Sequence, residues 1–187
     1  MTEFRLGLGS IALDLVATVA DRPGSHRERL LTPGDLDRWL LATELVPAPA
    51  ASADDLADTR GLREAIWSLV ERSLVEEAPR PRDRRLLNEW AARHPEAPQL
   101  GAGWRPAASA RADLGSALSA VARDAVDLLA GPDRARIRRC GRCTLHFVDR
   151  SRPGNRRWCS MEICGNRSKA ESFRHRHRQG QETRPRG

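Results

Sequence analysis

The chain has 187 residues, 40% of them hydrophobic and 30% charged, with a net charge of +7. That length suits one medium domain plus a small module and excludes two large domains. No apolar run approaches the roughly 20 residues of a membrane span, and the best one, Ile11 to Ala20, holds Asp14 and follows no basic segment, so neither a span nor a secretory signal is expected and the cytoplasm is the expected compartment.

The charge is unevenly spread. Residues 1–133 carry 16 Arg against 21 acids, a balance of −5, whereas 134–187 carry 15 Arg and Lys169 against four acids, a balance of +12. A basic C-terminal stretch on a mildly acidic body points to an anionic partner.

In chain order, Ile11, Ala12, Leu15, Val16 and Val19 fit one helix face, with Ser10 at the N-cap, although the same stretch also alternates like a strand. Residues 21–31 read as a loop. Thr32-Pro33-Gly34-Asp35 opens a helix that buries Leu36, Trp39 and Leu40 and stops before Pro47 and Pro49. Another helix begins near Ser52, where Asp54 and Asp55 favour its positive end. Its stripe runs through Leu62, Ala65, Ile66, Leu69, Val70 and Leu74. A third starts at Pro81 and turns Leu86, Leu87, Trp90 and Ala91 inward. Residues 95–110, rich in Pro and Gly, leave room for a short hairpin at Gly101-Ala102-Gly103. A fourth helix covers about 112–130 and ends at Gly131-Pro132. Trp39, Trp67, Trp90 and Trp104 read as core residues; nothing in their spacing requires a ligand pocket.

All four cysteines fall within 25 residues. Cys140 and Cys143 are separated by two residues, Cys159 and Cys164 by four, with 15 between the pairs. This is close to four-cysteine zinc spacing. Zinc in structural sites takes four tetrahedral ligands and suits soft thiolates. Gly141 eases the first turn, and Ser160 caps a helix from which Cys164 projects. Arg136–Arg139 and Leu145–Asp149 are expected as short strands, with Phe147 and Trp158 as a small core beside the metal. Two disulfides, a thiol redox switch and an iron–sulfur site are weaker readings of the same cysteines. With four thiolates closing the shell, His146, His175 and His177 are expected at the surface or facing nucleic acid, and metal catalysis is disfavoured.

Trp158-Cys159-Ser160-Met161-Glu162-Ile163-Cys164-Gly165-Asn166-Arg167 resembles the signature of CGNR-type zinc fingers, and Cys140 to Cys143, Phe147 to Ser151 and Arg156-Arg157 fit the same module. Ala12 to Val19 and Leu31 to Leu36 resemble the ABATE domain that accompanies that finger, although Ala17 stands where the family often has Asn. The resemblance implies a stress-linked transcription regulator that binds DNA.

The expected architecture is therefore mainly α, α+β overall. A helical ABATE-like domain (1–133) precedes a treble-clef-like four-cysteine zinc module ending in a basic helix (134–179) and a disordered tail (180–187). One structural Zn²⁺ is held by Cys140, Cys143, Cys159 and Cys164. Arg156, Arg157, Asn166, Arg167, Lys169, Arg174 and Arg178 are the candidate nucleic-acid contacts. Arg is the usual partner of guanine and of phosphate, and Asn of adenine, although a back-bond from Asn166 to the knuckle or a thiolate is the more ordinary role for that residue. Duplex DNA is the leading partner, with RNA or an acidic protein as rivals. The N-terminal domain is expected to sense a small molecule or to self-associate. No P-loop, G-x-S-x-G, H-E-x-x-H or G-x-G-x-x-G motif occurs, and a non-enzymatic role is expected.

Overall fold

The computed structural model describes residues 4–93, 100–101, 113–171 and 174. The fold is mainly α, with two small antiparallel hairpins among these residues. Its centre is the short helix α1 (Ile11–Val16), in which Ala12, Leu13, Leu15 and Val16 are all buried. A helix buried on nearly every side belongs inside a bundle, and α1 packs against both α3 (Ala53–Leu74) and α5 (Leu114–Ala130). Ser10 is extended at the N-cap as expected, but its hydroxyl does not cap the helix. It donates instead to Asp124 of α5, which also accepts the Ala12 N–H at 2.9 Å. A carboxylate 112 residues away thus meets one of the open donors at the start of α1. Asp14, buried on α1, accepts the Gly7 and Leu8 N–H groups at 3.0 and 2.9 Å and ties the preceding segment to the helix. Burial pushes its carboxyl up, and the two N–H groups oppose that.

The loop expected at 21–31 supplies one strand of a pairing that the sequence did not announce. β1 (Val19–Ala20) and β2 (Arg27–Glu28) run antiparallel, with Val19 opposite Glu28. Two residues per strand are too few to show alternation. What holds β2 is tertiary: the guanidinium of Arg63 on α3, only 3% exposed, grips Glu28 with two bonds of 2.8 and 2.7 Å.

The other helices follow their local signals. At α2 (Pro33–Ala42) and at α3, Thr32 and Ser52 each form a reciprocal box with the aspartate three residues on, Asp35 and Asp55. Along α3, Leu62, Ala65, Ile66, Leu69 and Val70 are buried; on α4 (Pro81–Ala91), Leu87 and Trp90 are. Asp113 caps α5 through the Ser116 N–H at 2.7 Å. The hairpin expected at Gly101-Ala102-Gly103, Trp104 and the 180–187 tail fall outside the described residues or reach beyond them.

After a 3₁₀ turn (Pro132–Arg136), β3 (Ile137–Arg139) pairs antiparallel with β4 (His146–Val148), Ile137 opposite Val148. This hairpin is joined to the helical body along a seam. The Val148 N–H donates to the Leu8 carbonyl at 2.8 Å, and one apolar cluster runs from Leu8 through α1, α3 and α5 to Phe147 and Cys164. Among the described residues, no helix is long and apolar enough to cross a membrane.

Candidate metal centre and the basic surface beside it

The first cysteine pair lies in the turn between β3 and β4. Cys140 N–H donates to the Leu145 carbonyl at 2.8 Å and Thr144 N–H to Cys140 at 3.2 Å, closing the knuckle. The left-handed residue is Thr144, at φ 60°, and not Gly141. Gly141 is needed for a different reason: a Cβ there would stand 3.2 Å from the Trp158 ring packed above it.

The second pair frames a helix start. Ser160 is extended, and its hydroxyl accepts the Ile163 N–H at 3.3 Å. The first turn, Met161–Gly165, is wider than an α-turn: Gly165 N–H reaches the Ser160 carbonyl, five residues back, at 3.0 Å. Residues 166–171 continue as α-helix, here α6. A knuckle on a hairpin and a pair at a helix start give the treble-clef-like arrangement.

The four Sγ atoms all lie within 4.8 Å of one another, and all four cysteines are free. Cys143 to Cys159 is 3.5 Å and Cys159 to Cys164 is 3.7 Å. A disulfide needs about 2.05 Å. A tetrahedron with Zn–S bonds of about 2.3 Å has edges of about 3.8 Å. The sulfurs therefore fit one zinc ion and not a pair of disulfides. Cys140, Cys159 and Cys164 are buried and Cys143 is half-buried, as suits a closed structural site. Contact with Cys159 pulls the Cys143 thiol down to about 5. Cys159 is driven up by the same contact and by burial, and Cys164 rises to about 11, chiefly through burial. Left to themselves, thiols this close favour one thiolate. A divalent cation lets all four deprotonate, so metal binding here releases protons.

The loop between the pairs is built on Asp149. Its buried carboxylate accepts the Ser151 N–H at 3.0 Å and the Arg156 N–H at 2.8 Å. Ser151 is the first cause holding its carboxyl down to about 2. This orders 149–156 and delivers Arg156 to the metal centre. Its guanidinium lies 5.2 Å over the Phe147 ring and donates to the Cys159 carbonyl at 2.9 Å. Arg156, itself exposed, thus ties its loop to the second cysteine pair.

Most of the other basic candidates are exposed as well. Arg157 is exposed and lies 5.3 Å over Trp158. Asn166, Arg167, Lys169 and Arg174 are exposed, and Arg178 falls outside the described residues. The back-bond considered for Asn166 is not found among those residues. Arg142, in the knuckle, holds Glu171 of α6 through two bonds, one of 2.7 Å, and so ties the basic helix to the first cysteine pair. Nothing local in the sequence marks that pair, 29 residues apart.

His146 departs from expectation. Instead of facing outward it is 3% exposed, with Nε2 2.8 Å from Glu71 Oε1 on α3. The contact is close in distance but falls short of strict hydrogen-bond direction. Arg139 of β3 pairs with the same carboxylate. His175 and His177 lie outside the described residues.

Residues 136–177 match the CGNR zinc finger model, and residues 9–132 match ABATE, described as "putative stress-induced transcription regulator". No curated protein matches the chain. The four gathered thiols agree with the finger, and the ABATE match spans most of the chain: the protein belongs to the ABATE family and carries a CGNR zinc finger.

Proposed function

We propose that the protein is a zinc-dependent, DNA-binding transcription regulator and not an enzyme. The observation that carries this reading is the exposed run Asn166, Arg167, Lys169 and Arg174, which leaves the four-thiol centre directly, with Arg157 exposed on the approach. Zinc fixes the start of α6; Arg142 and Glu171 fix its direction. The helix then presents cations at one end of a rigid module. Arg156, Arg157, Arg167, Lys169 and Arg174 hold phosphates, with Arg178 further along the chain, and Asn166 and Arg167 reach base edges. Asp149 supports this surface by ordering the loop that carries Arg156.

The test is selection of zinc-loaded protein on a random duplex-DNA pool, with excess structured RNA as competitor, near physiological salt. A defined motif is the expected result. Five phosphate contacts give a slope of log K against log salt of about −4.5. Charge reversal at Arg167 and Arg174 should weaken binding without loss of zinc and flatten the slope by about 0.9 per contact removed. DNA retained with no motif reduces the role to phosphate binding; retention of the RNA in place of DNA overturns the reading.

A further inference from the structure

The helical body is acidic as a whole, but one stretch of it is not. Residues 80–85, where α4 begins, hold Arg80, Arg82, Arg84 and Arg85 against Asp83 alone. All four arginines are exposed, and none has an ion pair or a side-chain hydrogen bond among the described residues. Two acids near them in sequence are taken up by α3: Asp83 accepts from the Ser68 hydroxyl at 2.5 Å, and Glu77 pairs with Arg72 at 2.9 Å.

The fold gains nothing from these charges. Four cations within six residues repel one another, and at the start of a helix they oppose its dipole. The arginines also fan out. At 3.6 residues per turn, Arg82 and Arg84 lie on opposite flanks of α4, with Arg85 between them on the side away from buried Leu87 and Trp90. A small anion is held by groups that converge on it. Guanidinium forks spread round a helix suit an extended run of phosphates.

Position ties this patch to the zinc module. Ser68 and Glu71, about one turn apart on α3, receive the first turn of α4 and the β3–β4 hairpin respectively. α5 runs back along α4: its Ser119 and Arg123 donate to the Arg93 carbonyl just past the far end of α4, so its last turn returns toward the arginines. The 3₁₀ turn that follows adds exposed Arg134 on the way to β3.

We propose that Arg80, Arg82, Arg84 and Arg85 form a second phosphate-contact surface, holding the backbone of the same DNA duplex that the zinc module engages. This rests on the DNA-binding reading of that module and extends it onto the helical body.

The experiment measures binding of zinc-loaded full-length protein to a fluorescein-labelled random-sequence DNA duplex, by anisotropy, over a series of salt concentrations. Wild type is compared with three double variants: Arg82→Gln/Arg85→Gln; Arg27→Gln/Arg123→Gln, which removes the same charge from exposed positions away from the start of α4; and the charge reversal at Arg167 and Arg174. Gln keeps the helix propensity of Arg, and zinc content and helical circular dichroism should hold in all. The α4 variant should bind about tenfold more weakly and flatten the slope of log K against log salt by about 1.8, or about 0.9 for each of two contacts. The Arg27/Arg123 variant should keep the wild-type slope. An α4 variant that behaves like the Arg27/Arg123 variant overturns the proposal, and the DNA-binding reading then stands if the reversal at Arg167 and Arg174 still weakens binding. Loss at α4 with none on that reversal overturns the shared duplex. Wild type that binds no duplex at the lowest salt overturns both.

Discussion

His146 of the zinc module and Glu71 of the longest helix meet at 2.8 Å, and Arg139 reaches the same carboxylate from the adjacent strand. One acid on α3 therefore receives both strands of the β3–β4 hairpin. Its carboxyl is held below the ordinary glutamate range, first by His146, with burial opposing and Arg139 assisting. Glu71→Gln should lower the stability of zinc-loaded protein by about 1–3 kcal/mol at pH 7, because the buried His146 and the half-exposed Arg139 lose their shared carboxylate. A depressed acid stabilises the fold above its ordinary value, near 4.5, and that contribution fades as pH falls through the lower folded value. Urea titrations should therefore show the gap between wild type and variant intact at pH 5 and shrinking below 4.5.

Gly9 tests the neighbouring part of the seam. Its φ is +95°, and an added Cβ would stand 2.9 Å from the Val148 Cβ. Gly9→Ala combines left-handed strain of about 1–2 kcal/mol with crowding of about 1–3. Thermal unfolding should show a loss of about 2 kcal/mol or more, while Gly61→Ala, with open space around it on α3, should be neutral or stabilising.

Arg63 anchors the first hairpin. It is buried, donates to Thr18 at 3.1 Å and grips Glu28 with two bonds. Arg63→Met should cost about 3 kcal/mol, the low end for a broken buried pair, since Glu28 keeps some solvent. The double variant Arg63→Met/Glu28→Gln should recover part of that loss; strictly additive costs in denaturant melts would show that the two side chains are not coupled.

Zinc removal should act on both halves unequally. Chelation, or Cys143→Ser, should release about one zinc per chain and collapse protease protection across 137–171. Most helical circular dichroism should survive at 25 °C, because α1, α3, α4 and α5 retain a large shared core. The thermal midpoint of those helices should nevertheless drop, since Phe147 and Val148 are part of that cluster. Full retention of the midpoint would mean that the seam contributes nothing to the body.

Features written within a few residues were readable in advance. Thr32 and Ser52 satisfy backbone donors three residues on, and the cysteine spacing carries its own ligand geometry, so α2, α3 and the metal centre follow from short stretches of chain. Features that depend on distant partners were not. Ser10 looks like a cap but yields that work to Asp124; β2 exists because Arg63 holds Glu28; and His146 is drawn inside by Glu71, 75 positions earlier. Each is decided by a pairing across the fold, which no local pattern encodes.

The bond from Val148 N–H to the Leu8 carbonyl has a consequence for biosynthesis. It joins residues 140 positions apart, and chains emerge from the ribosome at about 5–20 residues per second. The helices can assemble while the zinc finger is still being translated, but Leu8 waits some seconds for its partner strand. During that interval the apolar flank beside α1 is open, and closing it requires a loop spanning most of the polypeptide. Metal capture by the four late-emerging cysteines thus falls at the same stage as closure over the N-terminal segment, so zinc supply during synthesis should bear on how much newly made protein reaches its finished form.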